Sequence, residues 1–144
     1  MPYILLDDLK PLIPSAWLTE ALDDDANGSP EMFTGVRDAA ELAVNGVLSL
    51  QYTVPIATPA SFPFLKHVTS LEAARLCYAR RGYEDKGFPH SASYEAAWKQ
   101  LSQIGRGELQ LGPAAQSNAV LAKPRGSVIT GKSRTFSTTG ALSA

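Results

Sequence analysis

Val36-Arg-Asp-Ala-Ala-Glu-Leu-Ala-Val-Asn-Gly-Val-Leu-Ser-Leu-Gln-Tyr52 decides the fold. Its apolar residues fall at Val36, Ala39, Ala40, Ala43, Val44, Val47 and Leu48. That is one continuous stripe at the helical period. Strand alternation fits badly, because Ala39–Ala40 and Val47–Leu48 are adjacent apolar pairs. A corner follows from Tyr52 to Pro63, in which Pro55, Pro59 and Pro63 deny the chain a helix interior and hold it extended. Phe64 to Arg81 then reads as a second helix, stopped at Gly82.

Working outward, Tyr3 to Leu6 reads as extended. Asp7 or Asp8 is placed to cap a brief helix over Leu9 to Ile13, ended by Pro14. Ser15 caps a short helix with Trp17, Leu18, Ala21 and Leu22 on one face. The polar loop Asp23 to Pro30 turns at Asn27-Gly28. Ser29, Pro30 and Glu31 resemble a helix entry, which would start the stripe-bearing helix there and run it to about Leu50. Beyond Gly82 a polar loop leads to a last helix from about Tyr94 to Ile104, capped by Ser91 or Ser93. Its stripe is Tyr94, Ala97, Trp98, Leu101 and Ile104, and Gly105-Arg-Gly ends it. The expected fold is all-α: a small bundle of four to five helices over residues 1–112, with an extended polar arm over 113–144. No internal repeat is visible.

Charge divides the chain at the same place. Residues 1–110 hold nine Lys/Arg against fourteen Asp/Glu, a net of −5. Residues 111–144 hold Lys123, Arg125, Lys132 and Arg134 and no acid, a net of +4. A basic, Ser/Thr/Gly-rich arm cannot bury enough apolar surface to fold alone. It can order against a partner, for example as an added strand at Ser127-Val-Ile-Thr. The contact residues expected on the arm are Lys123, Arg125, Val128, Ile129, Lys132, Arg134 and Phe136. On the bundle they are Arg75, Arg80 and Arg81.

The single cysteine, Cys77, excludes an internal disulfide and sits in a helix as a buried thiol. No apolar run approaches the ~18 residues of a membrane span, and the opening stretch lacks the basic region of a signal peptide. The expectation is a soluble protein made in a reducing cytoplasm, with no membrane contact.

Two motifs match in letters only. Gly126-Ser-Val-Ile-Thr-Gly-Lys132-Ser133 satisfies the phosphate-loop pattern. The residues after it form a poor helix, and no parallel-sheet units surround it, so the structural context is missing. Asp23, Asp25, Asn27 and Gly28 open a calcium-loop pattern, but its twelfth position is Thr34 where a bidentate Glu is needed. His67 and His90, the only histidines, have no partner residues at ligand or catalytic spacing. No catalytic constellation converges, and the expectation is a protein that is not an enzyme and holds no cofactor or metal.

The order of these features resembles a family. The opening Tyr3-Ile-Leu-Leu-Asp-Asp-Leu, the Asp-rich loop and the Ala-rich helix lead to the corner Tyr52-Thr-Val-Pro-Ile. The helix ending Leu76-Cys-Tyr-Ala-Arg-Arg and the closing Gly105-Arg-Gly-Glu-Leu-Gln-Leu-Gly complete it. Over Tyr3 to Gly112 the chain resembles the Mu-like prophage family of small head–tail joining proteins. More broadly it is similar to the helical connector adaptors of tailed phages. The resemblance implies an all-helical subunit in a homo-oligomeric ring, expected to be twelve-fold, beneath the portal protein. It also implies bridging to a stopper, neck or tail protein around the channel for genomic DNA, at the head–tail junction of a virion assembled in the host cytoplasm. Family members often carry a fuller Asp/Asn-Gly loop than the one that reaches Thr34 here. The alternative is a small nucleic-acid-binding or calcium-binding helical module, with Arg75, Arg80, Arg81 and the arm cations on phosphates.

Overall fold

A computed structural model describes residues 1–112. Over these the chain is helical, with no strand. The helices are α1 (Ser15–Leu22), α2 (Phe33–Leu48), α3 (Pro63–Arg80) and α4 (Ser91–Gly105). A 3-10 turn at Leu6–Leu9 precedes α1, and two more, Pro59–Ser61 and Asp85–Gly87, lie in the connections before and after α3. The arm residues Lys123, Arg125, Val128, Ile129, Lys132, Arg134 and Phe136, and the phosphate-loop match at 126–133, lie outside the described residues.

α3 occupies the centre, packed against α2, α4 and α1. It buries Leu65, Val68, Leu71, Ala73, Ala74, Cys77 and Tyr78, and also the polar Thr69, Ser70 and Glu72. A helix buried on so many sides has no single apolar stripe. Its ends follow the sequence: Pro63 opens the first turn, and Gly82 closes the last at φ +85°. The Gly82 N–H donates to Ala79 O at 2.9 Å and the Tyr83 N–H to Tyr78 O at 3.1 Å, the paired bonds of a Schellman cap. α4 ends in the same way. Gly107, at φ +79°, donates to Ile104 O at 3.1 Å, and Glu108 donates to Gln103 O at 2.9 Å.

The stripe on α2 is only half used. Val36, Ala40, Val44 and Leu48 are buried, one row at i, i+4 spacing. Ala43 and Val47 are half-buried, and Ala39 is exposed. α2 also begins later than Ser29. The segment before it is held by other bonds: Ser29 N–H to Asn27 Oδ1 at 2.8 Å and Met32 N–H to Leu22 O at 2.9 Å. The second ties the loop to α1, and such a tertiary bond outweighs a local helix signal. The first 3-10 helix forms earlier than expected, at Leu6–Leu9, while over Leu9–Ile13 the chain makes a turn in which the Leu12 and Ile13 N–H groups both donate to Leu9 O at 3.0 Å. Asp8 acts from inside the 3-10 helix, its Oδ2 accepting Leu5 N–H at 2.7 Å.

Tyr3 joins three segments. Its hydroxyl donates to Asn45 Oδ1 at 2.6 Å on α2 and accepts Ile56 N–H at 2.8 Å from the corner. Its own N–H donates to Glu41 Oε1 at 2.7 Å. Burial is the main reason its hydroxyl pKa lies above the ordinary 10.0. The Val54–Pro55 peptide in the corner is cis.

α2 and α4 approach closely at Gly105. A Cβ there would lie 2.7 Å from Val47 Cγ1 and 2.9 Å from Val47 O. The second neighbour is backbone and cannot rotate away. Gly105→Ala therefore destabilises by about 1–3 kcal/mol, although alanine is the better helix former. Thermal melts followed by circular dichroism check this; an unchanged or raised midpoint contradicts the packing.

Candidate functional site

The bundle arginines named from sequence lie on the last turns of α3 (Arg75 and Arg80) and at its C-cap (Arg81), in contact with α1 and α4. Arg75 makes a two-pronged contact with buried Glu72, Nε to Oε2 at 3.0 Å and Nη2 to Oε1 at 2.8 Å. The same guanidinium lies over the Tyr94 ring of α4, 5.4 Å from its centroid. Arg80 donates through Nε to Ala21 O at 2.8 Å, the end of α1, and pairs with Asp24. Arg81 pairs with Glu20 and covers the Trp17 ring at 4.8 Å. The structure thus places all three in contacts that fasten α3 to α1 and α4.

They are set in a continuous line of rings. Trp17 meets Tyr78 and Tyr83, Tyr78 meets Phe88, Phe88 meets His90 and Tyr94, and Tyr94 meets Trp98, with centroids 5.4–6.2 Å apart. Offset and edge contacts at these distances add to the area the rings bury. Guanidinium groups on the rings' faces add cation–π attraction. His90 closes this line onto the N-terminal part of the chain, donating from Nε2 to Leu12 O at 2.8 Å. His67 is exposed on α3.

Glu72 needs its partners because a buried carboxylate without them is very costly. Arg75 supplies charge, and the Tyr94 hydroxyl supplies a hydrogen bond. Desolvation, then the bond to Glu72 and its charge, push the Tyr94 hydroxyl up to about 12, while Arg75 opposes the rise. Cys77, buried beneath the same helices, has its thiol pushed up to about 11 by burial, with Arg80 opposing. A thiol so raised is a poor nucleophile at neutral pH.

The Asp-rich loop is tied by its own backbone. Asp23 accepts Asn27 N–H at 3.1 Å and Gly28 N–H at 2.6 Å, and Glu31 accepts Asp25 N–H at 3.3 Å. Ala26 and Gly28 both take positive φ, 57° and 84°. Among the described residues no group of three or more His, Cys, Asp or Glu is placed to hold a metal ion. No helix among them is long and apolar enough to cross a membrane.

What the sequence did not mark is a row of exposed residues on the outer side of α2. Gly35, Ala39, Leu42 and Gly46 all face solvent, and Leu42 is 74% exposed. Beside it, Gly35, Val36 and Ala39 of α2 and Leu76, Ala79 and Arg80 of α3 line a shallow groove of about 410 Å3. The spacing of these residues was legible, but their exposure was not.

A family model described as Bacteriophage Mu, Gp36 matches residues 3–130 of the chain. No curated protein matches it.

The raised Tyr94 value sets a sign. The neutral hydroxyl is favoured in the folded chain, so its contribution is complete below pH 10 and is lost as the pH rises through about 12. Tyr94→Phe is expected to cost about 1 kcal/mol at neutral pH. The gap from the parent chain should close between pH 10 and about 12. Denaturant unfolding at several pH values checks this, and a gap that widens contradicts it.

Proposed function

Because the chain belongs to the bacteriophage Mu Gp36 family, we propose that it is a structural virion protein, the adaptor of the head–tail connector. In this role copies form a homo-oligomeric ring below the portal protein. The ring bridges the capsid to a stopper, neck or tail protein and surrounds the channel for genomic DNA. It performs no catalysis. Family membership over residues 3–130 carries the proposal.

Two features of the subunit support it. The arginines of the described residues, Arg37, Arg75, Arg80, Arg81 and Arg106, each pair with an acid of the same chain. The nucleic-acid alternative needs such groups on phosphates, and its bundle candidates are already engaged. An acidic body also repels phosphate, which lets DNA slide past without binding. Second, the row Gly35, Ala39, Leu42 and Gly46 on α2 suits a neighbouring copy, since small residues let another backbone come close. Ring closure requires two different patches per subunit. The α2 row is proposed as one of them, and the basic arm, through Lys123, Arg125, Val128, Ile129, Lys132, Arg134 and Phe136, as the contact to the portal or the adjacent subunit.

A phage lacking this chain is expected to accumulate filled heads and separate tails. Replacing Lys123, Arg125, Lys132 and Arg134 together by glutamine should lower the yield of joined particles at least tenfold. Joined particles at normal yield without the chain overturn the adaptor role. Normal yield with only the four substitutions overturns the arm's part in it.

A further inference from the structure

A second groove, of about 590 Å3, lies at the opposite end of α3 from the arginines. Its walls include Met1, Leu5, Pro59, Ala60, Phe62 and Lys66. Met1 and Leu5 are 84% and 62% exposed, so the rim presents apolar surface to solvent. The charged side chains at the groove, Asp8 and Lys66, neutralise one another in a 2.8 Å ion pair. Such a groove suits an uncharged apolar segment better than a charged one.

The position of the chain at Gly112 identifies the segment. A Cβ on Gly112 would lie 2.5 Å from Phe62 Cε1, so the backbone there rests on a ring that forms the groove wall. The preceding Leu111 N–H is fixed to the Tyr52 hydroxyl at 2.8 Å. The last described residue therefore lies against one of the residues that line the groove. The sequence that follows is Pro113-Ala-Ala-Gln-Ser-Asn-Ala-Val120-Leu121, with no charge before Lys123. Eight residues reach about 25 Å when extended, enough to carry Val120 along the groove. A tethered segment also meets the groove at a far higher effective concentration than a free one.

We propose that the groove between the N-terminal segment and the start of α3 binds the chain's own residues 113–121, with Val120 and Leu121 as apolar anchors. This docking concerns the free subunit and does not depend on the adaptor role.

The full-length chain tests this, with Leu5→Cys and Val120→Cys paired in one variant and Leu42→Cys with Val120→Cys in a control. Leu42 is at least as exposed as Leu5 but lies outside the groove, and buried Cys77 stays unreactive. Under mild oxidation the groove pair should close an intrachain disulfide at least tenfold faster than the control. Equal or slower closure overturns the proposal. So does a disulfide that joins two chains, which would assign the groove to a second copy. Hydrogen exchange provides a readout without cysteines. In Val120→Asp/Leu121→Asp, the amides of residues 3–8 should exchange at least five-fold faster than in the parent chain, and unchanged exchange overturns the proposal. Neither readout involves particle joining, so failure here leaves the adaptor role standing.

Discussion

The burial of the middle of α3, from Val68 to Ala74, is the constraint from which the remaining structure follows. A central helix with neighbours on three faces must keep its contact residues small where helices approach, and Ala73, Ala74 and Cys77 meet that need. Small residues bury little area each, so apolar contact alone stabilises such a bundle weakly. The rest comes from Leu65, Val68 and Leu71 and from specific polar contacts. Glu72 is the sharpest case. A carboxylate in this position is tolerable only with Arg75 and Tyr94 beside it, and those two residues in turn fix α4 against α3.

The same constraint determines which surfaces remain for partners. Because Arg75, Arg80 and Arg81 are held by Glu72, Asp24, Glu20 and the aromatic line, the basic end of α3 is engaged in the bundle's own contacts. Among the described residues, the outer row of α2 is left open to other roles. This division is compatible with the proposed adaptor role. In that proposed role the acidic charge of residues 1–110 would repel phosphate.

Much of the helical plan was legible because its signals are local. Pro63 and Gly82 mark the ends of α3, and Gly107 the end of α4, through backbone geometry that needs no distant partner. The start of α2 was misplaced because Met32 is bonded to Leu22, a partner that lies outside any local window. The arginines show the same limit. The Glu72–Arg75 spacing of three residues along one helix could have been read as a pair. Asp24 and Glu20 lie some sixty positions from Arg80 and Arg81, and only the fold brings them together. Of the seven stripe residues on α2, Ala39 is exposed and Ala43 and Val47 are half-buried. Periodicity identifies an apolar face, but how much of it is covered depends on what packs there.

An image of the assembled particle bears most directly on the central claim. Cryo-electron microscopy of purified particles of the parent phage should show a ring of subunits with a central hole between portal and tail. This helical bundle should fit each subunit, with α3 at its centre. Particles whose neck contains no density that accepts the bundle, or from which the chain is absent by mass spectrometry, would contradict the account.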